Sequence, residues 1–396
     1  MKKTKVLLIF LFLALSVLPA SAALDVYGLQ AEALAGDVKA QFKLGLIYET
    51  GEEGYVDPYE SAKWYEMAVA QGLREAQLNL GRMYSAGAGV SQDYEKAAEL
   101  FLLAAEQEQA EAQTNLAVFY LKGEGVEQSL PDALKWFRRG AENGNVVAQF
   151  NLARMLEKGE VVPKDLAQAL KLYIRAAEQG HLQAQVAAGD MLFSGEGVPQ
   201  DFVAAAKWYR LAANRGESRA QQQLGDIYYQ GEGVGQDFVA AAKWYRMAAA
   251  QGETYAQYII GVMYAEGEGL PQNYAQAVFW YRKAADKGLV EAEASLALMY
   301  RQGRGVKQSD KQALFWFEKA AKQGESTAQF NLADHYYRGL GVLPDMVKCY
   351  TWLLLAVEGG NPEAAQVLPK VKETLTSIEV SMASVQAKKY RKAYRK

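Results

Sequence analysis

Residues Ala220–Tyr255 read AQQQLGDIYYQGEGVGQDFVAAAKWYRMAAAQGETY, and this stretch decides the fold of the chain. An alanine equivalent to Ala220 returns every 36 residues from Ala40 to Ala364, with no insertion or deletion. A fixed period of this length is typical of solenoid proteins, in which each repeat buries its core only against its neighbours. The sequence therefore predicts nine copies of one unit rather than several globular domains.

Each copy predicts two helices joined by a loop. Leu224, Ile227 and Tyr228 follow helical spacing, and the glycine that ends this first helix, Gly231, is glycine in all nine copies. Six residues later, every copy has a side chain that can cap the second helix. These side chains are Asp57, Asp93, Ser129, Asp165, Asp201, Asp237, Asn273, Ser309 and Asp345. The second helix is predicted to close at another glycine, which is replaced in one copy by Glu108.

All seven tryptophans occupy one position of the second helix, and Leu100 and Leu172 fill that position in the other two copies. A leucine can replace a buried tryptophan but cannot replace a platform on which sugars or bases stack. This position is therefore interpreted as core.

The pattern A-x-x-x-L-G-x-x-Y…G-x-G-V…D-x-x-x-A-x-x-W-Y-x-x-A-A-x-x-G, present from about Asp37 to Gly360, resembles the Sel-1-like repeat, a relative of the tetratricopeptide repeat. The resemblance implies an all-α fold, a right-handed α/α superhelical solenoid of nine 36-residue helix-turn-helix repeats. It also implies a binding scaffold, without naming a partner. Cysteine-rich members of the family staple their repeats, and some have been linked with β-lactamase activity. This chain has one cysteine, Cys349, and therefore lacks such staples.

Residues 1–22 have the features of a secretory signal. Lys2, Lys3 and Lys5 precede an apolar run, Val6–Leu18, and Ala20-Ser21-Ala22 forms a cleavage site. We expect cleavage after Ala22 and a periplasmic protein. Secretion from the cell and a retained N-terminal anchor are the alternatives.

The remaining boundaries follow from the repeat phase. Residues 23–36 are predicted to form an N-terminal capping helix, 37–360 the nine repeats, and 361–396 C-terminal capping helices with a basic tail. Pro369 is expected to kink or end the first of these C-terminal helices. Thr376 and Glu379 have the spacing of a capping box for the last helix.

Charge is distributed unevenly along a chain whose formal net charge is −3. From Ala383 onward there are six basic and no acidic residues: Lys388, Lys389, Arg391, Lys392, Arg395 and Lys396. They are interpreted either as a solvated helix end or as a contact for an anionic membrane or an acidic protein. An exported acidic body disfavours nucleic-acid binding.

The sequence predicts no catalytic residue, cofactor or metal site. Its two histidines, His181 and His335, lie far apart, and no cysteine–histidine cluster is present. His335 is interpreted as a surface or hydrogen-bonded histidine and Cys349 as a buried free thiol. No serine is followed three positions later by lysine, so that nucleophile motif is absent.

We expect a nonenzymatic scaffold of the bacterial cell envelope that binds proteins or peptides in a groove formed by variable positions of the first helices. Alternatives are a secreted factor that binds host or competitor molecules, a cell-wall or β-lactam hydrolase, and a glycan-binding protein that uses exposed tyrosines. The candidate contact residues are Lys43, Asn79, Asn115, Asn151, Gln223 and Asn331, together with Asp226 and Arg154, which are expected to point outward.

Overall fold

The computed structural model describes residues 20–51 and 56–394, with side chains described from residue 26 to 51 and from 56 to 393. Within that part of the chain every regular element is a helix. The charged and apolar segments of the predicted signal, residues 1–19, lie outside the described residues, as do Arg395 and Lys396 of the basic tail. No helix in the described ranges is both long enough and apolar enough to cross a bilayer.

The chain divides into two compact units, the first ending at Ala184 and the second beginning at Gln185. The helices of the first unit are α1 Ala20–Leu34, α2 Val38–Thr50, α3 Pro58–Ala70, α4 Arg74–Ala86, α5 Tyr94–Glu106, α6 Ala110–Lys122, α7 Leu130–Glu142, α8 Val146–Lys158 and α9 Leu166–Glu178. Helix α10, Leu182–Ser194, begins in the first unit and continues into the second.

The second unit contains eleven further helices. They are α11 Phe202–Asn214, α12 Ser218–Gln230, α13 Phe238–Ala250, α14 Thr254–Glu266, α15 Tyr274–Asp286, α16 Val290–Gln302, α17 Asp310–Lys322, α18 Ser326–Arg338, α19 Met346–Glu358, α20 Pro362–Glu373 and α21 Ser377–Tyr394. Helices α2 to α19 form the nine predicted pairs, and we call the first helix of each pair the A helix and the second the B helix.

The predicted helix ends are confirmed. All nine capping side chains accept a hydrogen bond from a backbone N–H in the first turn of their B helix. The glycine after each A helix has a left-handed backbone, with φ between 66° and 80°. Glu108 adopts the same left-handed region, with φ 62°, where the other copies have glycine. The repeat therefore dictates this backbone even where the residue disfavours it.

The core of each repeat is formed by small and aromatic side chains of paired helices. A Cβ built on Gly225 of α12 would come within 2.9 Å of the Tyr245 ring of α13, so glycine lets this ring lie directly against the helix backbone. Five of the seven tryptophans are buried, and Trp64 and Trp280 are half-buried, which confirms the core interpretation.

The C-terminal helices differ from the repeat. Pro369 was predicted to kink or end the helix; helix α20 continues four residues beyond it, so the proline does not end the helix. Pro369 is exposed, whereas Ala364 and Val371 of the same helix are buried, and this packing offsets the missing N–H bond. The Thr376–Glu379 capping box is confirmed, since each backbone N–H meets the other side chain, at 2.8 and 3.3 Å. Tyr390 of α21 stacks on Trp352 of α19.

Candidate binding surface on the A helices

An aromatic side chain follows the tryptophan position in every B helix but the last. The nine residues are Tyr65, Phe101, Phe137, Tyr173, Tyr209, Tyr245, Tyr281, Phe317 and Leu353, and all are buried. The ring packs against the A helix of its own repeat, as Tyr245 does against Gly225. A tyrosine at this position consequently brings its hydroxyl toward the A helix.

Four of these hydroxyls donate hydrogen bonds to carboxylates of the A helix in the same repeat. Tyr65 donates to Glu49 at 2.5 Å and Tyr173 donates to Glu157 at 2.6 Å. In the second unit, Tyr209 donates to Asp190 at 2.8 Å, and Tyr245 donates to Asp226. Burial, and then the neighbouring carboxylate, raises the pKa of each phenol, so all four remain protonated donors. The carboxylates are thereby held in fixed positions.

The sequence suggested that Asp226 points outward, but its side chain does not extend freely into solvent. Its side chain is half-buried beneath the A-helix surface and accepts the hydrogen bond from Tyr245. Loss of solvent raises the pKa of this carboxyl to about 6, although the Tyr245 bond opposes the change. Sequence periodicity could not show this, because the depth of the residue depends on its contact with α13.

The other candidate residues also lie on A helices, at different depths. Lys43 and Arg154 are exposed, whereas Asn79, Asn115, Asn151 and Gln223 are half-buried. Asn79 donates to the Tyr65 hydroxyl at 3.0 Å, so it joins the pair formed by Tyr65 and Glu49. Asn151 donates within its own helix to the Val147 carbonyl at 2.9 Å.

Asn331, the last candidate, is buried because an arginine covers it. Arg301 of α16 donates through one terminal amino group to Asn331 and through the other to Asp334, at 3.0 Å. Asp334 also accepts from Nε of Arg338, at 2.7 Å. The sequence analysis missed this cluster, since its members stand in positions occupied by other residue types in neighbouring copies.

Two cavities open near the candidate residues, one in each unit. The first, of about 200 Å³, is lined partly by Asn151, Arg154, Phe137 and Leu130. The second, of about 290 Å³, lies between α18, α19 and α20. Its walls are formed by Phe330, Ala333, Asp334, Tyr337, Arg338, Cys349, Leu353, Val367, Lys370 and Val371.

A ladder of buried amide hydrogen bonds, which was not predicted, ties each A helix to the helices on either side of it. In the first unit, Gln41, Gln77, Gln113 and Gln149 accept hydrogen bonds at 2.8–3.0 Å from amides 30 residues later. In the second unit, Gln251 donates to Gln221 at 2.9 Å, and Gln221 donates to the Ala213 carbonyl at 3.1 Å. The ladder joins three successive helices. The recurrence of glutamine after the repeat's alanine was the signal that could have revealed it.

His335 and Cys349 are both core residues. His335 is fully buried, with Nδ1 2.9 Å from the Leu340 carbonyl, so the expected hydrogen bond is present but a surface position is wrong. Burial lowers the pKa of His335. Cys349 is a buried free thiol, as predicted, and burial raises its pKa to about 12. Within the described ranges, no three histidine, cysteine, aspartate or glutamate side chains are grouped to hold a metal ion.

Comparison with known proteins places the chain in a family. The Sel1 repeat family matches nine consecutive segments: 38–73, 74–108, 110–145, 146–181, 182–217, 218–253, 254–289, 290–325 and 326–361. The chain belongs to the Sel1 repeat family. Proteins of this family are protein-interaction scaffolds, and their fold is generally noncatalytic.

Two solved structures are similar over most of the chain. One is c5321, described as a protective antigen present in uropathogenic Escherichia coli strains; the identity is 31%, the TM-score 0.70, and the match covers 92% of this chain and 86% of that one. The other is a Sel1 repeat protein from Oxalobacter formigenes, with 31% identity, a TM-score of 0.53, and coverage of 76% and 87% respectively. No curated protein matches at a significant level.

Proposed function

We propose that this chain is an exported, nonenzymatic scaffold of the bacterial cell envelope, which binds a partner protein or peptide on its A-helix surface. The observation that carries the proposal is the series of A-helix carboxylates and amides fixed by buried tyrosine hydroxyls. Polar groups already held in one position lose little freedom when a partner binds, so they favour affinity and specificity. Asp226 supports this, because a half-buried carboxylate with a raised pKa is a poor choice for stability alone.

Export is supported by the residues at the N-terminus and by a relative. Residues 1–22 have the charge, apolar run and cleavage site of a secretory signal. The similar Escherichia coli protein is described as a protective antigen, which is compatible with an exported protein. We place the chain in the periplasm, with secretion as the alternative.

Photo-crosslinking in living cells tests the scaffold. A photoreactive amino acid replaces Lys43 or Arg154, which are exposed on A helices α2 and α8. Matched controls carry it at Lys135 or Lys171, which are exposed on B helices α7 and α9. We expect the A-helix positions to capture the same envelope protein and the B-helix positions not to. Capture from the B helices alone, or equal capture from both sets, would contradict the proposed surface.

Cell fractionation and activity assays, carried out beside the crosslinking, separate the alternatives. Fractionation of periplasm, envelope and culture supernatant shows where the mature chain resides. A protein found only in the supernatant, with no envelope protein captured, would favour a secreted binder. Turnover of peptidoglycan or a chromogenic β-lactam by the purified chain would overturn the nonenzymatic assignment.

A membrane contact through the last helix is a second candidate, favoured by the exposed face of α21. Ile378, Met382 and Val385 are 72%, 57% and 64% exposed and lie at i, i+4 and i+7. Lys388, Lys389 and Lys392 follow and are also exposed. Arg391 instead forms an ion pair with Glu358 at 2.7 Å. An apolar face that leads into lysines fits the surface of an anionic bilayer.

Sedimentation with vesicles tests this contact. We expect binding to vesicles that contain phosphatidylglycerol and little binding to phosphatidylcholine alone. Replacing Lys388, Lys389 and Lys392 by glutamine should abolish binding to the anionic vesicles, because each lysine near the membrane surface contributes about 1 kcal/mol to the binding free energy. Replacing Lys122, Lys135 and Lys171, which are equally exposed but distant in the chain, is the matched control. Equal losses in both triple variants would rule out a contact specific to α21.

A further inference from the structure

The cavity between α18, α19 and α20 is lined by a position at which the last repeat differs from the others. Eight of nine copies have an aromatic ring after the tryptophan position, and the ninth has Leu353. In the third repeat Phe137 takes this position and lines the equivalent cavity, which is about 200 Å³. A leucine is shorter than a phenylalanine ring, and the cavity of the last repeat is larger, about 290 Å³.

The walls of this cavity are apolar and its edge carries positive charge. Phe330, Leu353, Val367 and Val371 line it, and a cavity of about 150 Å³ with such walls already accommodates a benzene ring. Lys370 is exposed at the edge and forms no ion pair within the described part of the chain. The space therefore has room for a ring and for a polar group beside Lys370.

At the edge of the cavity, the positive charge of the arginines exceeds the negative charge of the one carboxylate, Asp334. Asp334 is bound by both Arg301 and Arg338, so its charge is already compensated. Arg338 uses Nε for that contact, and its described hydrogen bonds leave both terminal amino groups available. With Lys370, the edge carries net positive charge and complements a carboxylate.

The cavity continues the A-helix surface of the second unit. Asp334 stands in the same repeat position as Asp190 and Asp226, and Tyr337 stands 36 residues after Arg301. Tyr337 is 54% exposed beside the opening. A chain that ends in the cavity can therefore extend back along α16 and α14.

From these observations we infer that the cavity binds the C-terminal residue of a partner polypeptide, its apolar side chain inside and its carboxylate at Lys370 and Arg338. This inference rests on the proposed function and names the chemical feature of the partner that the second unit recognises. A free carboxylate beside an apolar side chain distinguishes a chain terminus from an internal segment.

Fluorescence anisotropy with defined peptides tests the inference on the full chain. The probe is fluorescein-labelled Gly-Ser-Gly-Ser-Gly-Phe with a free C-terminal carboxylate. We expect its amide, and a peptide ending in serine with a free carboxylate, to bind at least ten-fold more weakly. Equal binding of the acid and the amide would overturn the inference, as would tighter binding of decanoate than of the peptide.

Matched variants locate the binding. Leu353→Phe restores the aromatic residue type of the other repeats, so it should narrow the cavity and weaken binding while the thermal midpoint stays equal or rises. Lys370→Gln should weaken binding several-fold, and Lys372→Gln, exposed on the same helix outside the cavity, should not. Unchanged binding by a folded Leu353→Phe variant would exclude the cavity.

The outcome is distinguishable from that of the proposed function. If no peptide binds but Lys43 and Arg154 positions still capture an envelope protein, the terminal-residue inference fails and the scaffold stands. If peptide binding depends on the carboxylate but no partner is captured at those positions, the inference stands and the proposed A-helix surface of the first unit fails.

Discussion

The Tyr245 hydroxyl of α13 donates a hydrogen bond to Asp226 of α12, and so a B helix fixes a carboxylate of the A helix before it in the same repeat. The same relationship joins Tyr209 to Asp190, Tyr173 to Glu157 and Tyr65 to Glu49. The carboxylate comes from either of two A-helix positions, three residues apart. In these four repeats the tyrosine donor keeps one position of the B helix, whereas the carboxylate acceptor takes either of two positions of the A helix. Such variation suits a binding surface.

Replacing Asp226 by asparagine should stabilise the protein at neutral pH. The folded-state pKa of about 6 exceeds the ordinary value of 3.8, so the folded protein disfavours the ionised carboxylate. Stability linked to this group is present below pH 4 and is lost as the pH rises through 6. Two pKa units correspond to about 3 kcal/mol, and partial solvent access reduces this to about 1–2 kcal/mol. Urea unfolding at pH 7.5 and pH 3.5 measures the difference.

Asparagine keeps an oxygen that can accept from Tyr245, so the comparison isolates the charge. We expect the variant to have a higher free energy of unfolding than the wild type at pH 7.5 and almost the same value at pH 3.5. A variant that is less stable than the wild type at both pH values would show that the carboxylate stabilises the repeat.

Replacing His335 by methionine should remove part of the acid sensitivity of the second unit. Burial lowers the pKa of His335, and Arg301 adds to that effect, while Asp310 and Asp334 oppose it. The unfolded chain therefore binds a proton near pH 6.5 that the folded chain excludes, and stability falls as the pH drops below that value. Methionine occupies the same position in Met299 and Met263, so it fits this core. Thermal midpoints from pH 8 to pH 5 should decline less for the variant.

Above pH 7, the thermal midpoints of the wild type and the His335→Met variant should differ little. A decline of equal steepness in both proteins would assign the acid sensitivity to other groups.

At Glu108, glycine should be better tolerated than alanine. Glu108 has φ 62°, which glycine adopts freely and alanine does not. Both substitutions remove the contacts of this carboxylate with Asn143, Arg139 and Gln113, so their difference reports the backbone alone. We expect a higher urea midpoint for Glu108→Gly than for Glu108→Ala. Equal midpoints would mean that the turn changes its backbone when the side chain is lost.

The amide ladder should be costly to interrupt. Gln221→Ala removes one hydrogen bond from the Gln251 amide and one from the Ala213 carbonyl, which keep their bonds to the Gly216 carbonyl and the Gly216 N–H. We expect a loss of about 1–2 kcal/mol. Gln222→Ala is the matched control, since Gln222 is the adjacent, half-buried glutamine of the same helix. Equilibrium unfolding in urea compares the two. A similar small loss in both would show that water replaces the ladder's bonds.

The number of repeats, the helix ends and the tryptophan core could be read from the residues alone. These features are local: Asp237 caps the helix that begins beside it, and Gly231 ends the helix that precedes it. Each is decided by a few neighbouring backbone groups, which the printed residues specify directly. The capping box at Thr376 and Glu379 was predicted for the same reason.

The depth of the candidate residues and their contacts depend instead on how the helices pack together. Asp226 meets Tyr245 across 19 residues, Gln251 meets Gln221 across 30, and Arg301 covers Asn331 across 30. His335 is buried because the helices around it close over its position, whatever its own polarity. The size of the cavity beside Leu353 depends on the course of α20, which continues beyond Pro369 and contributes Lys370 and Val371 to its walls. Such features arise from packing between helices, where burial and polar contacts are set together by several distant residues.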